Sequence, residues 1–253
     1  MNWRSAATIY RFEIARAART PLQSVLSPVL SASLYFIVFG SAMAGRLEAI
    51  DGVPYGAFIV PGLVMLTVLV ESVANASFGI YLPRFTGTIY EVLSAPIGAL
   101  EILAGYVGAA ATKSIVLGGL VLLTAAFFVD YPVAHPLWAA LWLVVSALTF
   151  SLLGFVIGVW SKSWEQLQLV PYLVVMPLTF LGGTFYDLDV LRPPWRDAAL
   201  FNPAVYLIDG FRTAFFGRGD LPPAACAAVL AGLCAGLLAL AVWMIRSGYR
   251  LKP

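Results

Sequence analysis

Apolar residues along this chain gather in long blocks separated by short polar stretches, with little strict alternation. Six blocks, 22–45, 57–82, 102–128, 137–160, 167–186 and 224–245, are long enough to cross a bilayer, which takes roughly 20 helical residues for about 30 Å of hydrocarbon. Barrel strands need only about 9 to 11 residues and alternate in polarity, so the pattern predicts helices. The fold class is all-α: a single polytopic transmembrane domain over 1–253.

Residues 2–20 follow a different rhythm. At 100° per residue, Trp3, Ala6, Ala7, Tyr10, Ile14, Ala17 and Ala18 share one arc, with Arg4, Arg11, Arg16 and Arg19 on much of the opposite side. A basic amphipathic helix with an aromatic on its apolar face is predicted to lie in the membrane interface. Pro21 marks the corner into the first span.

Composition sharpens the picture. Apolar residues make up 61% of the chain, charged residues 11%, and mean hydropathy is +0.89. So few charges cannot cover a soluble fold of 253 residues, where about a quarter of positions are charged. A disordered chain, a disulfide scaffold and a nucleic-acid-binding protein are excluded with it. Cys226 and Cys234 share one span; on a helix they stand about 12 Å apart, beyond the roughly 7 Å a bridge spans. Ala42-Met43-Ala44 mimics a signal-peptidase site, but the block before it is longer than the 7 to 15 residues, roughly, of a signal core.

Six spans put both termini on one side. That side carries nine basic residues: Arg4, Arg11, Arg16, Arg19, Arg84, Lys162, Arg246, Arg250 and Lys252. The other carries five, Arg46, Arg192, Arg196, Arg212 and Arg218, four of them in one long loop. Basic residues in short loops stay in the cytoplasm, so the termini are expected inside.

Three places are candidates for function. The loop 84–96 is expected to fold as a short helix capped by Thr86 or Thr88 and ended by Pro96; its Tyr90, Val92 and Leu93 suggest a docking surface. Glu71 and Lys113 lie inside the second and third spans, at matching depths of about 16 Å from the cytoplasmic ends, where an ion pair would offset most of the cost of burying each charge. The segment 187–223 should hold a helix starting at Asn202 and Pro203 and ending at Gly217. On it Tyr206 sits among apolar residues, while Asp209 and Arg212 are three apart on one face. Its apolar content suits a segment that leans on the bilayer or dips back between helices. The single histidine, His135, has no metal-ligand or nucleophile partner in sequence, so neither a metal nor a catalytic residue is expected.

Ordered short motifs give these features a family likeness. Gly87-Thr88 through Glu91, Leu93, Ala95-Pro96-Ile97, Leu100-Glu101-Ile102 and Gly105 come first; Pro177 through Tyr186 with Pro193-Pro194-Trp195 follow; Asn202-Pro203-Ala204-Val205-Tyr206 through Gly210-Phe211-Arg212 close the set. Together they resemble the type-2 ABC exporter permeases of bacteria, the membrane halves of drug, polysaccharide and lipid-linked sugar exporters. The resemblance implies a homodimer in the inner membrane whose segment 84–96, with Arg84, Thr86, Gly87, Thr88, Tyr90 and Glu91, docks on an ABC ATPase subunit. It also implies a re-entrant external helix before the last span, and ATP and Mg bound by the partner. In keeping with this, none of the three lysines, Lys113, Lys162 and Lys252, follows a glycine, so no phosphate-cradling G-x-x-x-x-G-K-[ST] loop is present. A secondary transporter without an ATPase is the alternative, kept open by Gly182-Gly183 and the proline-rich spans though no internal repeat is visible. An intramembrane enzyme is the third class.

Overall fold

Long apolar blocks become helices because lipid offers the backbone no hydrogen-bond partner, so each N–H must find a carbonyl within its own segment. The computed structural model describes residues 3–19, 22–42, 49–50 and 52–251. Five of its helices are long and apolar enough to cross a membrane, and a shorter apolar helix over Ser24–Phe39 precedes them. These five helices lie within about four residues of the blocks 57–82, 102–128, 137–160, 167–186 and 224–245, whereas the block 22–45 meets only the shorter helix. The first is wound more loosely, with a regular α2 (Ser27–Tyr35) flanked by wide π turns, Leu22–Leu26 and Phe36–Ala42. Most of the mimicked cleavage site and Arg46 fall outside the described residues.

Helix α3 (Tyr55–Thr86) is the axis of the molecule, and its middle is almost wholly buried. Helices α5 (Ala99–Ala125) and α6 (Pro136–Trp160) pack along it. The α3–α6 contact is close because Gly154 and Gly158 face its backbone: a Cβ there would stand 2.5 Å from the Val73 carbonyl oxygen and 2.4 Å from that of Ser77. Small residues let membrane helices approach in this way. Helix α7 (Trp164–Thr184) is broken near its end at Gly183, whose φ of 89° only glycine adopts without strain. After a connecting segment that holds a short α8 (Trp195–Leu200) and α9 (Pro203–Phe216), α10 (Pro223–Ser247) packs on α6 and leaves much of its apolar surface open.

Helix α1 (Trp3–Ala18) packs along α5 on a face different from the expected apolar arc: Ala6, Tyr10 and Glu13 turn inward, while Trp3, Ala7 and Ala18 of that arc are exposed. Ile9 presses on Gly105, Tyr10 donates to Thr112 at 3.1 Å, and Glu13 approaches Gly79 of α3. Arg16, placed by sequence on the polar side, turns inward, pairs with Glu13 and lies 4.5 Å over the Phe78 ring. A buried carboxylate on the inner face draws that arginine round.

Candidate functional site

At the end of the bundle that holds both described termini, α3 continues to Thr86, so Arg84 and Thr86 close that helix and do not open a new one. Gly87 stops it with φ of 82°, the left-handed turn that glycine allows at a helix C-terminus. A separate helix α4 (Ile89–Ser94) follows, ending before Pro96 as the restriction on the preceding residue requires. The expected helix 84–96 is thus a helix end, a turn and six helical residues. Thr88 holds the cap position, but its hydroxyl meets that of Thr86 at 3.0 Å and makes no cap bond. Ile89 is buried, and Val92 and Leu93 are half-buried against a second cluster of buried apolar residues, so valine and leucine anchor this knob and do not face water. Its outer surface is Phe85, 76% exposed, with Thr86, Thr88, Tyr90 and Glu91. Arg84 is turned away from that surface. Its guanidinium donates to the carbonyls of Gly158 at 2.7 Å, Ser161 at 3.1 Å and Arg250 at 3.1 Å, stapling α3 to the end of α6 and to the tail.

Inside the membrane, Glu71 and Lys113 do not touch. Asn75, one turn beyond Glu71, stands between them: its Nδ2 donates to Glu71 Oε2 at 3.0 Å, and its Oδ1 accepts from Lys113 Nζ. The amide turns its acceptor to the ammonium and its donors to the carboxylate, the one orientation that serves both charges. Sequence reasoning found the charges and missed the amide, although a lone asparagine four residues after an intramembrane glutamate was a signal for it.

On the far side, α9 (Pro203–Phe216) starts and stops where its caps require. Asn202 accepts from the Ala204 N–H at 3.0 Å, and Gly217 turns left-handed with φ of 71°. Asn202 also donates to the Leu178 carbonyl at 2.6 Å, and Tyr206 to that of Leu200 at 3.0 Å. Val205, Leu207, Ile208, Phe211 and Phe215 are all buried, so the helix packs between α3, α6 and α10. Asp209 and Arg212 do not pair with each other. Asp209 accepts from the N–H groups of Asp220 at 2.8 Å and Leu221 at 3.0 Å, tying down the approach to α10. Arg212, 4% exposed, donates to the Gly183 carbonyl at 2.5 Å, lies 4.1 Å over the Phe58 ring and stands 3.8 Å from Asp220. One guanidinium therefore joins the broken end of α7, the start of α3 and the last loop. Burial pushes the Asp220 carboxyl up to about 6; the Leu188 N–H and Arg212 work against the rise, and the Asp187 and Asp209 carboxylates add to it.

Comparison with known proteins follows the same extent of chain. The profile of the ABC-2 type transporter family matches residues 5–216. The chain is 39% identical over 222 residues to the inner membrane transport permease YadH of Escherichia coli, covering 88% of this chain and 87% of that protein. Nodulation protein J of Rhizobium leguminosarum bv. viciae is 24% identical over 223 residues, covering 86% of this chain and 83% of its own. With the match running from the first helix through the buried α9, the chain belongs to the ABC-2 type transporter family and is a multi-pass membrane transport permease.

Proposed function

We propose that this chain is the membrane-spanning subunit of an ATP-driven exporter, working as a homodimer with a separate ABC ATPase that binds the ATP and Mg. In this reading six spans leave both termini in the cytoplasm of a bacterial inner membrane, in line with the excess of basic residues on that side. The substrate class is an amphipathic, lipid-linked or drug-like molecule moved out of the cytoplasm or inner leaflet, and the chain itself catalyses no reaction. The observation that carries the reading is the cytoplasmic knob. Its inner side chains are locked into the core, while an aromatic and acidic surface of Phe85, Tyr90 and Glu91 stays uncovered beside a rigid helix end. A push on α4 passes directly into α3 and α5, the two helices it joins.

Co-expression with an ABC ATPase encoded beside this chain tests the proposal. The two are expected to co-purify, and Tyr90→Ala or Glu91→Arg to weaken the complex about thirtyfold, the equivalent of about 2 kcal/mol at an interface anchor. ATP hydrolysis by the complex should fall with it. Undiminished co-purification and hydrolysis in both variants would remove the docking role.

A further inference from the structure

A cavity of about 220 Å³ opens within the membrane region between α2, the middle of α3 and α7. Its wall includes Ser31 and Tyr35 of α2, Thr67 and Glu71 of α3, and Tyr172 and Met176 of α7. Among the described residues lining it, Glu71 is the only Asp, Glu, Lys, Arg or His. The cations nearby are kept elsewhere: Lys113, with Arg16, borders a separate small gap on the α1 and α5 side, together with Asn75 and Glu13.

The hydrogen bonds explain how a carboxylate is presented there. Asn75 Nδ2 donates both to the Glu71 carbonyl at 2.7 Å and to Oε2 at 3.0 Å, which fixes the side chain along its own helix. Oε1 accepts no hydrogen bond from any described residue. A membrane-buried carboxylate with one oxygen free is costly unless something supplies a donor or a positive charge. The cavity wall offers two tyrosine rings, Tyr35 and Tyr172, and a thioether, surroundings that suit the apolar body of a ligand and whose ring faces attract cations.

We infer that this cavity receives the cationic nitrogen of an amphipathic substrate, an amine or quaternary ammonium, with Glu71 as its counter-charge. The inference rests on the exporter reading and narrows its substrate class. Lys113 lies beyond the Asn75 amide from Glu71 and does not line the cavity.

The test uses the purified full chain in phosphatidylcholine nanodiscs, a bilayer without net charge. Radiolabelled benzyltrimethylammonium is the probe, and neopentylbenzene, its neutral carbon isostere, is the competitor. Wild type should bind the cation saturably, with the isostere competing at least about tenfold less well. Glu71→Gln should abolish that preference, and Glu71→Asp should keep most of it. Equal affinity for cation and isostere in wild type, or an unchanged preference in Glu71→Gln, would overturn the assignment. Should Glu71→Gln not fold, Ser31→Lys adds a positive charge to the same wall and leaves the Asn75 bonds intact. Cation binding must vanish in it, and binding at wild-type affinity overturns the assignment equally. No ATPase is present in this assay. Failure here, with an ATPase complex that still responds to neutral or acidic amphiphiles, overturns the cation site and spares the exporter reading. Cation binding by a chain that takes no ATPase partner would do the reverse.

Discussion

Gly210 sits in the middle of α9, where glycine costs a helix about 1 kcal/mol relative to alanine. Its reason is Trp142. A Cβ on residue 210 would stand 2.1 Å from Cζ2 of that indole, against the roughly 3.5 to 4.0 Å at which carbon atoms attract. The indole has little room to yield: it is 3% exposed, its Nε1 donates to the Leu207 carbonyl at 2.8 Å, and Trp138 lies 5.3 Å away, ring to ring. Gly210→Ala therefore carries an overpacking cost of about 1 to 3 kcal/mol and strains a hydrogen bond worth about 1 kcal/mol. The helix propensity gained returns about 1 kcal/mol. The net loss is about 2 kcal/mol, and at roughly 2 to 4 °C per kcal/mol for a chain of this size the unfolding midpoint should fall by about 4 to 8 °C. Scanning fluorimetry of the detergent-solubilised protein reads this directly. Trp142→Leu in the same background should recover part of the loss, because the clash goes with the ring. A Gly210→Ala protein that melts at or above wild type would refute the close-packing account of α9.

The amide between the intramembrane charges gives a second expectation. Asn75→Leu should cost about 2 to 4 kcal/mol, since it strips a hydrogen bond from two buried charges at once; in the background Glu71→Leu/Lys113→Met it should cost under about 1 kcal/mol, and equal losses in both backgrounds, measured by thermal unfolding, would mean that the three side chains act independently. The loop between α9 and α10 gives a third. Because the folded state holds the Asp220 proton up to about pH 6, above the ordinary value of 3.8, this carboxyl favours the folded state at low pH and loses that contribution as pH rises from about 4 to about 6. Asp220→Asn should remove that slope while still accepting from the Leu188 N–H, and identical pH profiles of the unfolding midpoint between pH 4 and 7 in the two proteins would contradict it.

Much of this protein is written in one dimension. Apolar blocks longer than a bilayer is thick can only be helices, since lipid leaves a backbone no other partner. Local chemistry also marks ends without help from the rest of the fold: Asn202 with Pro203 starts α9, Gly217 stops it, and Pro96 limits α4. The matching positions of Glu71 and Lys113 on neighbouring helices were legible too, since one amide, Asn75, reaches both.

Side-chain partners were not, because they depend on which faces meet when the helices pack. Periodicity put Arg16 on the polar side of α1, whereas contact with α3 and α5 buried Glu13 and drew Arg16 inward. Spacing set Asp209 beside Arg212, yet the loop after α9 brought Asp220 to the arginine and backbone N–H groups to the aspartate. Arg84 looked like part of a docking surface until α6 and the tail offered it three carbonyls. A charged side chain in a membrane protein goes to whatever polar atoms lie within its reach, and only the tertiary structure decides which those are.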